Sequence, residues 1–394
     1  MLGARQSLLS LARGLRRGGR FAPIVGVPRP GALTEHLEEA GVPWIVLPTS
    51  PWRKVKSWRA IPGEVAAIRR VIKDHKIRLV HCNEIYPLPH ALTAAAPDPL
   101  LLALARRTFL RRIWPENQTS IPVLAHTRLG LRPRLVRNYH VEDARRIIAV
   151  SDAMAQDLRP FPKATQRTTV VHNGIDLTPF EAAHREREKA RANLGFLPEH
   201  VVFGHIGLLG PRKRPEYLLK AAPAILREVP HARFLIVGDP SPTDPGYRDR
   251  LHKLAYDLGI EPHTVFVPFQ KDVTRFFSAL DIHILLSNEE GFGRVILEAA
   301  GAKVPTIATR IGGIPELIQA AETGYLIGGP EVATQAGMDD ALGGFVRMAI
   351  ELARDPARRH RMGEAANRLA HERFSEASYV HGVEGVFLEV LGLR

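Results

Sequence analysis

The sequence predicts an α/β chain folded as two doubly wound, parallel-sheet domains. Three observations carry that reading. Its 394 residues exceed what one hydrophobic core organises, since single cores stop growing near ~250–300 residues. Short apolar runs alternate with amphipathic segments, the βαβ pattern of a parallel sheet. The stretch Ser287 to Glu316, SNEEGFGRVILEAAGAKVPTIATRIGGIPE, reads as strand, glycine loop and helix. Open α/β sheets bind ligands beyond the carboxyl ends of their strands at such places.

Taken in order, the chain opens with a helix over 3–18, apolar at Leu8, Leu9, Leu11 and Leu15. Strands are expected at 22–27, 44–47 and 77–82, with helices at 32–40 and 61–75. Residues 100–114 read as an amphipathic helix bearing Arg106, Arg107, Arg111 and Arg112 in two pairs. A strand at 121–125 ends in His126-Thr127-Arg128. IIAVSD, 147–152, is a strand running into a helix capped by Ser151. Asn173-Gly174 marks a turn, and the first domain is placed at 1–174. The second, 175–375, starts with a charged helix over 181–194. Strands at 201–206, 233–237, 265–267 and 282–286 then alternate with helices at 216–228, 247–258 and 272–280. Helices at 294–302, 341–353 and 356–373 complete it, and a last helix occupies 376–391.

Composition narrows the function. Hydrophobic residues make up 45% and charged residues 24%, as in soluble globular proteins. The one cysteine, Cys82, excludes an internal disulfide, and no Cys/His cluster has zinc spacing. No apolar run reaches the ~18–20 residues that span a bilayer, and no secretory core is seen. A cytoplasmic location follows as the expectation. Net charge is +13, and residues 1–172 carry 28 Lys/Arg against 12 Asp/Glu. The first half therefore expects a polyanionic partner. No nucleic-acid motif accompanies the charge, so an anionic membrane face is preferred. Trp52, Lys54, Lys56, Trp58 and Arg59 repeat the aromatic-plus-basic theme of the 100–114 segment.

The loop at 290–293 supplies the chemistry. Gly293 lets the backbone approach a ligand, and the first amides of the following helix favour an anion there, most simply a phosphate. Glu290 and Glu298 frame the loop, eight residues apart, and suit hydroxyl groups on sugar rings.

EGFGRVILEA followed by VPTIATRIGGIPE resembles the E-x7-E signature of retaining GT-B glycosyltransferases, family 4 in particular. The resemblance implies two Rossmann-like domains facing a cleft. It implies an acceptor side at 1–174, a nucleotide-sugar side at 175–375, and a 376–394 segment that crosses back to the first domain. Glu290 would contact the donor sugar and Glu298 the ribose, with Gly291, Phe292, Gly293, Arg294 and Val295 lining the donor loop. His126 would lie close to the sugar and diphosphate, with Arg128 a candidate for the same cleft. Lys213 matches the lysine directed at the diphosphate. Leu208 stands where the family has an arginine and Arg214 where it has a glycine, so Arg212 or Arg214 is expected to compensate. Phe269 falls where the nucleobase binds. Glu290, His126 and Lys213 are the catalytic candidates, with no metal and no cofactor beyond the nucleotide-sugar donor.

The resemblance also exposes a gap. Leu2-Gly3-Ala4-Arg5 joins the family's opening glycine motif midway, so that Gly3 is what remains of it. The family's first strand has no counterpart, which should leave sheet edges unpaired. A truncated or mis-started frame and a variant with a weakened first domain both fit. The expected reaction is sugar transfer, with retention, to a glycan, lipopolysaccharide or lipid-linked acceptor of the cell envelope at the inner membrane face. A non-catalytic nucleotide-sugar-binding paralogue and a nucleotide-sugar epimerase are the alternatives. A dehydrogenase is disfavoured because no G-x-G-x-x-G follows a strand.

Overall fold

The computed structural model describes residues 3–97 and 121–393. The expected helix at 100–114 lies outside them. The chain divides into two compact units, residues 1–174 with 376–394, and residues 175–375.

Among its described residues the first unit contains six short parallel strands: β1 (Val25–Val27), β2 (Trp44–Val46), β3 (Val80–Cys82), β4 (Val123–Thr127), β5 (Arg146–Ala149) and β6 (Thr168–Val170). They do not make one sheet. Among the described residues β1 pairs with β2 alone, while β3-β4-β5-β6 form a separate four-stranded sheet. The helix Gly3–Gly18 serves both. Its Ala12 packs with Val25, Val27 and Leu37, and its Leu11 and Leu15 pack with Leu124 and Ile148. Burial of such leucines drives this arrangement, and truncating one to alanine costs ~2–5 kcal/mol. The same helix lies against Glu376–Val390. Gly14 permits the close approach, because a Cβ there would fall 2.4 Å from Val380 Cγ2. Arg13 and Arg17 hold Glu376 at 2.8 and 2.6 Å.

The second unit is a single six-stranded parallel sheet. Its strands are β7 (Val201–Ile206), β8 (Ala232–Val237), β9 (Thr264–Val267), β10 (Ile282–Leu285), β11 (Thr306–Thr309) and β12 (Gly324–Ile327), in the spatial order β12-β11-β10-β7-β8-β9. Every strand but β9 is buried, with Arg233 of β8 the one partly exposed position in the other five, as expected when helices cover both faces. The chain leaves β7 toward β8 on one side and β10 toward β11 on the other. The point between β7 and β10 is therefore a topological switch, where the loops after the two strands diverge and open a crevice. The charged helix expected at 181–194 is two helices, Thr178–Arg185 and Arg187–Asn193, broken at Glu186. β11 and β12 were not anticipated.

Candidate functional site

At the switch point of the second unit the loops after β7 and β10 are laced together. Asn288 N–H donates to Arg212 O (2.9 Å), Asn288 Nδ2 to Pro211 O (3.3 Å), and Arg212 to Glu289 O (3.3 Å). Beneath the loop, Thr309 Oγ1 donates to Ser287 O at 2.7 Å. Glu290 is fixed from behind by the downstream Gly-Gly. Gly313 N–H donates to Glu290 O at 3.2 Å, and a Cβ on Gly312, whose φ is 49°, would fall 1.7 Å from that oxygen. The second half of the motif thus positions the first glutamate.

The Glu290 carboxylate is 11% exposed and the Lys213 side chain 13%. Lys213 Nζ bonds Glu290 Oε2, and Arg212 stands 3.9 Å from Oε1. Gly293, at φ 97°, caps the helix Arg294–Gly301 and turns its first amides toward the loop. Gly291 and Phe292 are buried, the Phe292 ring lying edge-on to Phe374 at 5.9 Å. Val295 is half-buried. Glu298 accepts from Arg294 Nε at 3.2 Å across one helical turn. Phe269 is 52% exposed, its N–H donating to Asp239 at 3.1 Å. Arg214 takes a structural role instead of compensating for Leu208. It is 4% exposed and donates to Val332 O (2.6 Å) and Ala333 O (2.9 Å). Arg212 is the exposed guanidinium beside Glu290.

Two histidines that sequence reasoning passed over lie in the same two strands. His205 on β7 and His283 on β10 are buried, and their Nε2 atoms have no partner among the described residues. Burial first, and the Lys213 charge second, bring His205 down to about 4. Burial, His205 and Lys213 together bring His283 to about 3. Both rings are neutral at pH 7.

The first unit holds a second polar cluster. His126 lies inside β4 rather than beyond it, and is wholly buried. His81 Nε2 lies 3.2 Å from His126 Nδ1, and Arg128 NH2 lies 3.2 Å from the same nitrogen. Arg128 is engaged at every nitrogen. Nε donates to Asn83 O (2.9 Å), NH1 to Asn173 Oδ1 (2.7 Å), and NH2 to Asn83 Oδ1 (2.6 Å) and Tyr379 Oη (3.1 Å). Asn83 Nδ2 in turn donates to Ala4 O (3.1 Å), beside the exposed Gly3. A guanidinium can only donate, so the Arg128 contact favours the tautomer in which His126 Nδ1 accepts and Nε2 carries the proton. That Nε2 is buried without a partner among the described residues. Burial first and the Arg128 charge second lower His81 to about 3; burial, Arg128 and His81 hold His126 well below the usual imidazole value. A cavity of about 260 Å³ lined by Arg145, Arg146, Arg167, Glu389 and Val390 sits at the amino ends of β5 and β6, opposite the end where Arg128 lies.

Comparison with known proteins gives the family. The signature described as Glycosyltransferase Family 4 matches residues 2–179, and that of Glycosyl transferases group 1 matches residues 186–368. N-acetyl-alpha-D-glucosaminyl L-malate synthase of Bacillus anthracis is 30% identical over 323 residues, 82% of this chain and 77% of that protein. D-inositol 3-phosphate glycosyltransferase of Mycobacterium marinum is 34% identical over 205 residues, covering 51% of this chain and 43% of that one. Anabaena HepE, solved in complex with UDP and glucose, shares the fold with a TM-score of 0.77 at 23% identity, covering 98% and 96% of the two chains. Sucrose-phosphate synthase of Thermosynechococcus elongatus does so at 0.69 and 20%, covering 98% and 92%. The two signatures meeting end to end on paired parallel-sheet units place the chain in the group 1, family 4 glycosyltransferases of the GT-B fold.

Proposed function

We propose that the protein moves a sugar from a nucleotide-diphosphate sugar to a hydroxyl acceptor, with retention of anomeric configuration and without a metal. The observation that carries this reading is the Lys213–Glu290 pair, fixed at the β7/β10 switch point beside the Gly293 helix start. A nucleotide-sugar donor already contains an activated bond. What remains is to position it and to stabilise charge on the departing diphosphate. Lys213, Arg212 and the first amides of the helix supply that stabilisation. Glu290 accepts from the sugar hydroxyls, and the Glu298 carboxylate, oriented by Arg294, accepts from the ribose. Donor entry exchanges partners: phosphate replaces Glu290 at Lys213, and the sugar replaces Lys213 at Glu290. His126, the first unit's candidate, would act as a hydrogen-bond donor through Nε2 and not as a base. No covalent intermediate is invoked, because no side chain here is placed as an evident nucleophile.

UDP is the nucleotide to try first, since it is bound in the HepE structures. Both relatives' names contain an anion that bears hydroxyls, malate or an inositol phosphate. That favours an anionic acceptor for the basic first half, such as a cell-envelope glycan or lipid-linked precursor presented at the inner membrane face. No described helix is long and apolar enough to cross a membrane, and the contact we propose with that face is a peripheral one.

The test is nucleotide release from a panel of UDP-, GDP- and ADP-sugars, with and without acceptor, in EDTA and with added Mg²⁺. Acceptor-dependent release that EDTA leaves intact supports the reading. Donor interconversion without acceptor would mean an epimerase, and binding without release a non-catalytic paralogue.

A further inference from the structure

The segment Pro51–Ala60 behaves differently from its sequence pattern, in which two tryptophans look alike. Trp52 is 3% exposed, lies edge-on to His90 at 4.9 Å, and packs with Ile61, Val65 and Ile68. Glu64 fixes the same end, accepting from Ser50 N–H (3.0 Å) and Ser50 Oγ (2.6 Å) and lying 3.0 Å from His90 Nε2. Between these anchors runs a chain of turn hydrogen bonds. Lys54 N–H donates to Pro51 O (3.1 Å), Ser57 to Lys54 O (2.8 Å), Trp58 to Val55 O (3.0 Å) and Ala60 to Ser57 O (3.0 Å). The turn therefore has a fixed inside and a fixed outside.

Outside stand Val55, 73% exposed, and Trp58, 48% exposed. Arg53, Lys54, Lys56 and Arg59 are exposed around them, and positions 51–60 contain no acid. Four cations alone would suit any polyanion. A protruding valine and tryptophan among them suit one that also has an apolar layer beneath its charge, which is an anionic bilayer. Tryptophan settles at the headgroup level of bilayers, and each nearby Lys or Arg adds attraction to acidic lipid.

We propose that the 53–59 turn docks the protein on anionic lipid, with Val55 and Trp58 entering the headgroup layer and the four cations facing lipid phosphates. This deepens the membrane contact proposed above, on which it rests, and assigns it to one surface.

The experiment is co-sedimentation of the full chain with phosphatidylcholine vesicles, with and without phosphatidylglycerol, across a salt series. Binding is expected only with phosphatidylglycerol and should weaken as salt rises. Lys54→Glu with Lys56→Glu, and separately Val55→Ser with Trp58→Ser, should each lower the partition coefficient about tenfold or more. Their melting temperatures should stay at the wild-type value. Tryptophan emission should shift to the blue on vesicles in the wild type and lose that shift in Trp58→Phe. Absence of binding to acidic vesicles, undiminished binding by both double variants, or preferential binding to an oligonucleotide would each overturn the proposal. Nucleotide release with a soluble acceptor, measured without vesicles, is unaffected by all these variants, so failure here is distinct from failure of the transfer reading.

Discussion

The two units are built from the same βαβ grammar, yet one sheet is continuous and the other is interrupted. In the second unit six strands pair without a break, and the switch between β7 and β10 places Lys213 and Glu290 side by side. In the first, β1-β2 and β3-β6 are separate sheets under a single helix, Gly3–Gly18. The difference shows that a parallel fold tolerates an opening in hydrogen bonding when side-chain packing bridges it. It also separates two kinds of robustness. The second unit has its site and its frame in the same strands, whereas the first relies on one helix to join two small cores.

Amide exchange is where the contrast should be largest. Val25 N–H bonds Pro43 O and Val80 N–H bonds Pro122 O. By the alternation of a parallel ladder, the Gly26 and His81 amides face away from β2 and β4, the strands they border among the described residues. They should exchange through small local openings. Ile206 and Ile284, in adjacent central strands, should exchange near the global unfolding limit, ~5–15 kcal/mol. Equal protection in mass-resolved exchange would show that the opening between β1 and β3 has no dynamic consequence.

Function should show the next largest effect, confined to the second unit. Glu290→Ala and Lys213→Ala should each lower turnover ~10²–10³-fold. Each also takes the closest partner from a mostly buried charge, at a cost of about 3 kcal/mol in urea unfolding, less in Lys213→Ala because Arg212 still stands 3.9 Å from Glu290. Lys213→Met combined with Glu290→Gln should recover much of that stability and none of the turnover. Turnover recovering with stability would mean the pair is only structural.

The glycines sharpen the point with about 2–3 kcal/mol. Gly312→Ala puts a methyl against Glu290 O at φ 49° and should destabilise by that amount. Gly19→Ala in the first unit, at φ 71° in open space, should cost only about 1 kcal/mol. Thermal melts of the two variants compare a left-handed position that supports a site with one that merely ends a helix.

How much of this could be read from residues varies between the units. Helix Glu216–Glu228 and strand Val201–Ile206 fall where periodicity places them, and the glycine loop announces itself by spacing. β11 and β12 went unseen because Thr306, Thr309 and Gly324 break the apolar run that marks β10, a buried strand of the same length. In the first unit the strands are shorter than the apolar runs, β1 starting only after Pro23, which has no N–H to pair. Sheet continuity is a long-range property, invisible to local pattern. So is the fate of Arg128, whose partners Asn83, Asn173 and Tyr379 lie 45, 45 and 251 residues away.

Acid should weaken both units alike, and modestly at first. His81, His126, His205 and His283 are all held below the ordinary value by burial first, His81 and His283 down to about 3 and His205 to about 4. The unfolded chain protonates them near pH 6.5, so below that pH it binds more protons than the fold does. Stability is therefore full above about pH 6.5 and falls as pH drops toward 4, by up to ~1.4 kcal/mol per pH unit for each histidine. His205→Gln should flatten the urea-midpoint profile between pH 6 and 4. An unchanged profile would show that His205 is already protonated in the fold.

The smallest effect is a single proton position, on His126 of the first unit. Arg128 NH2 can only donate to His126 Nδ1, so Nε2 carries the hydrogen and His126 offers a donor, not a base. Nitrogen NMR of ring-labelled protein should show a bare Nδ1 and a protonated Nε2 in His126 across pH 5–8. Arg128→Gln removes the charge while retaining an N–H donor, and should preserve that tautomer. Arg128→Met should release it and let both nitrogens share the proton, while Tyr379 and Asn83 lose a common partner. If Nδ1 carries the proton in the wild type, the 3.2 Å contact with Arg128 opposes two donors. His126 would then be free to accept a proton through Nε2, and general-base chemistry in the first unit would return to consideration.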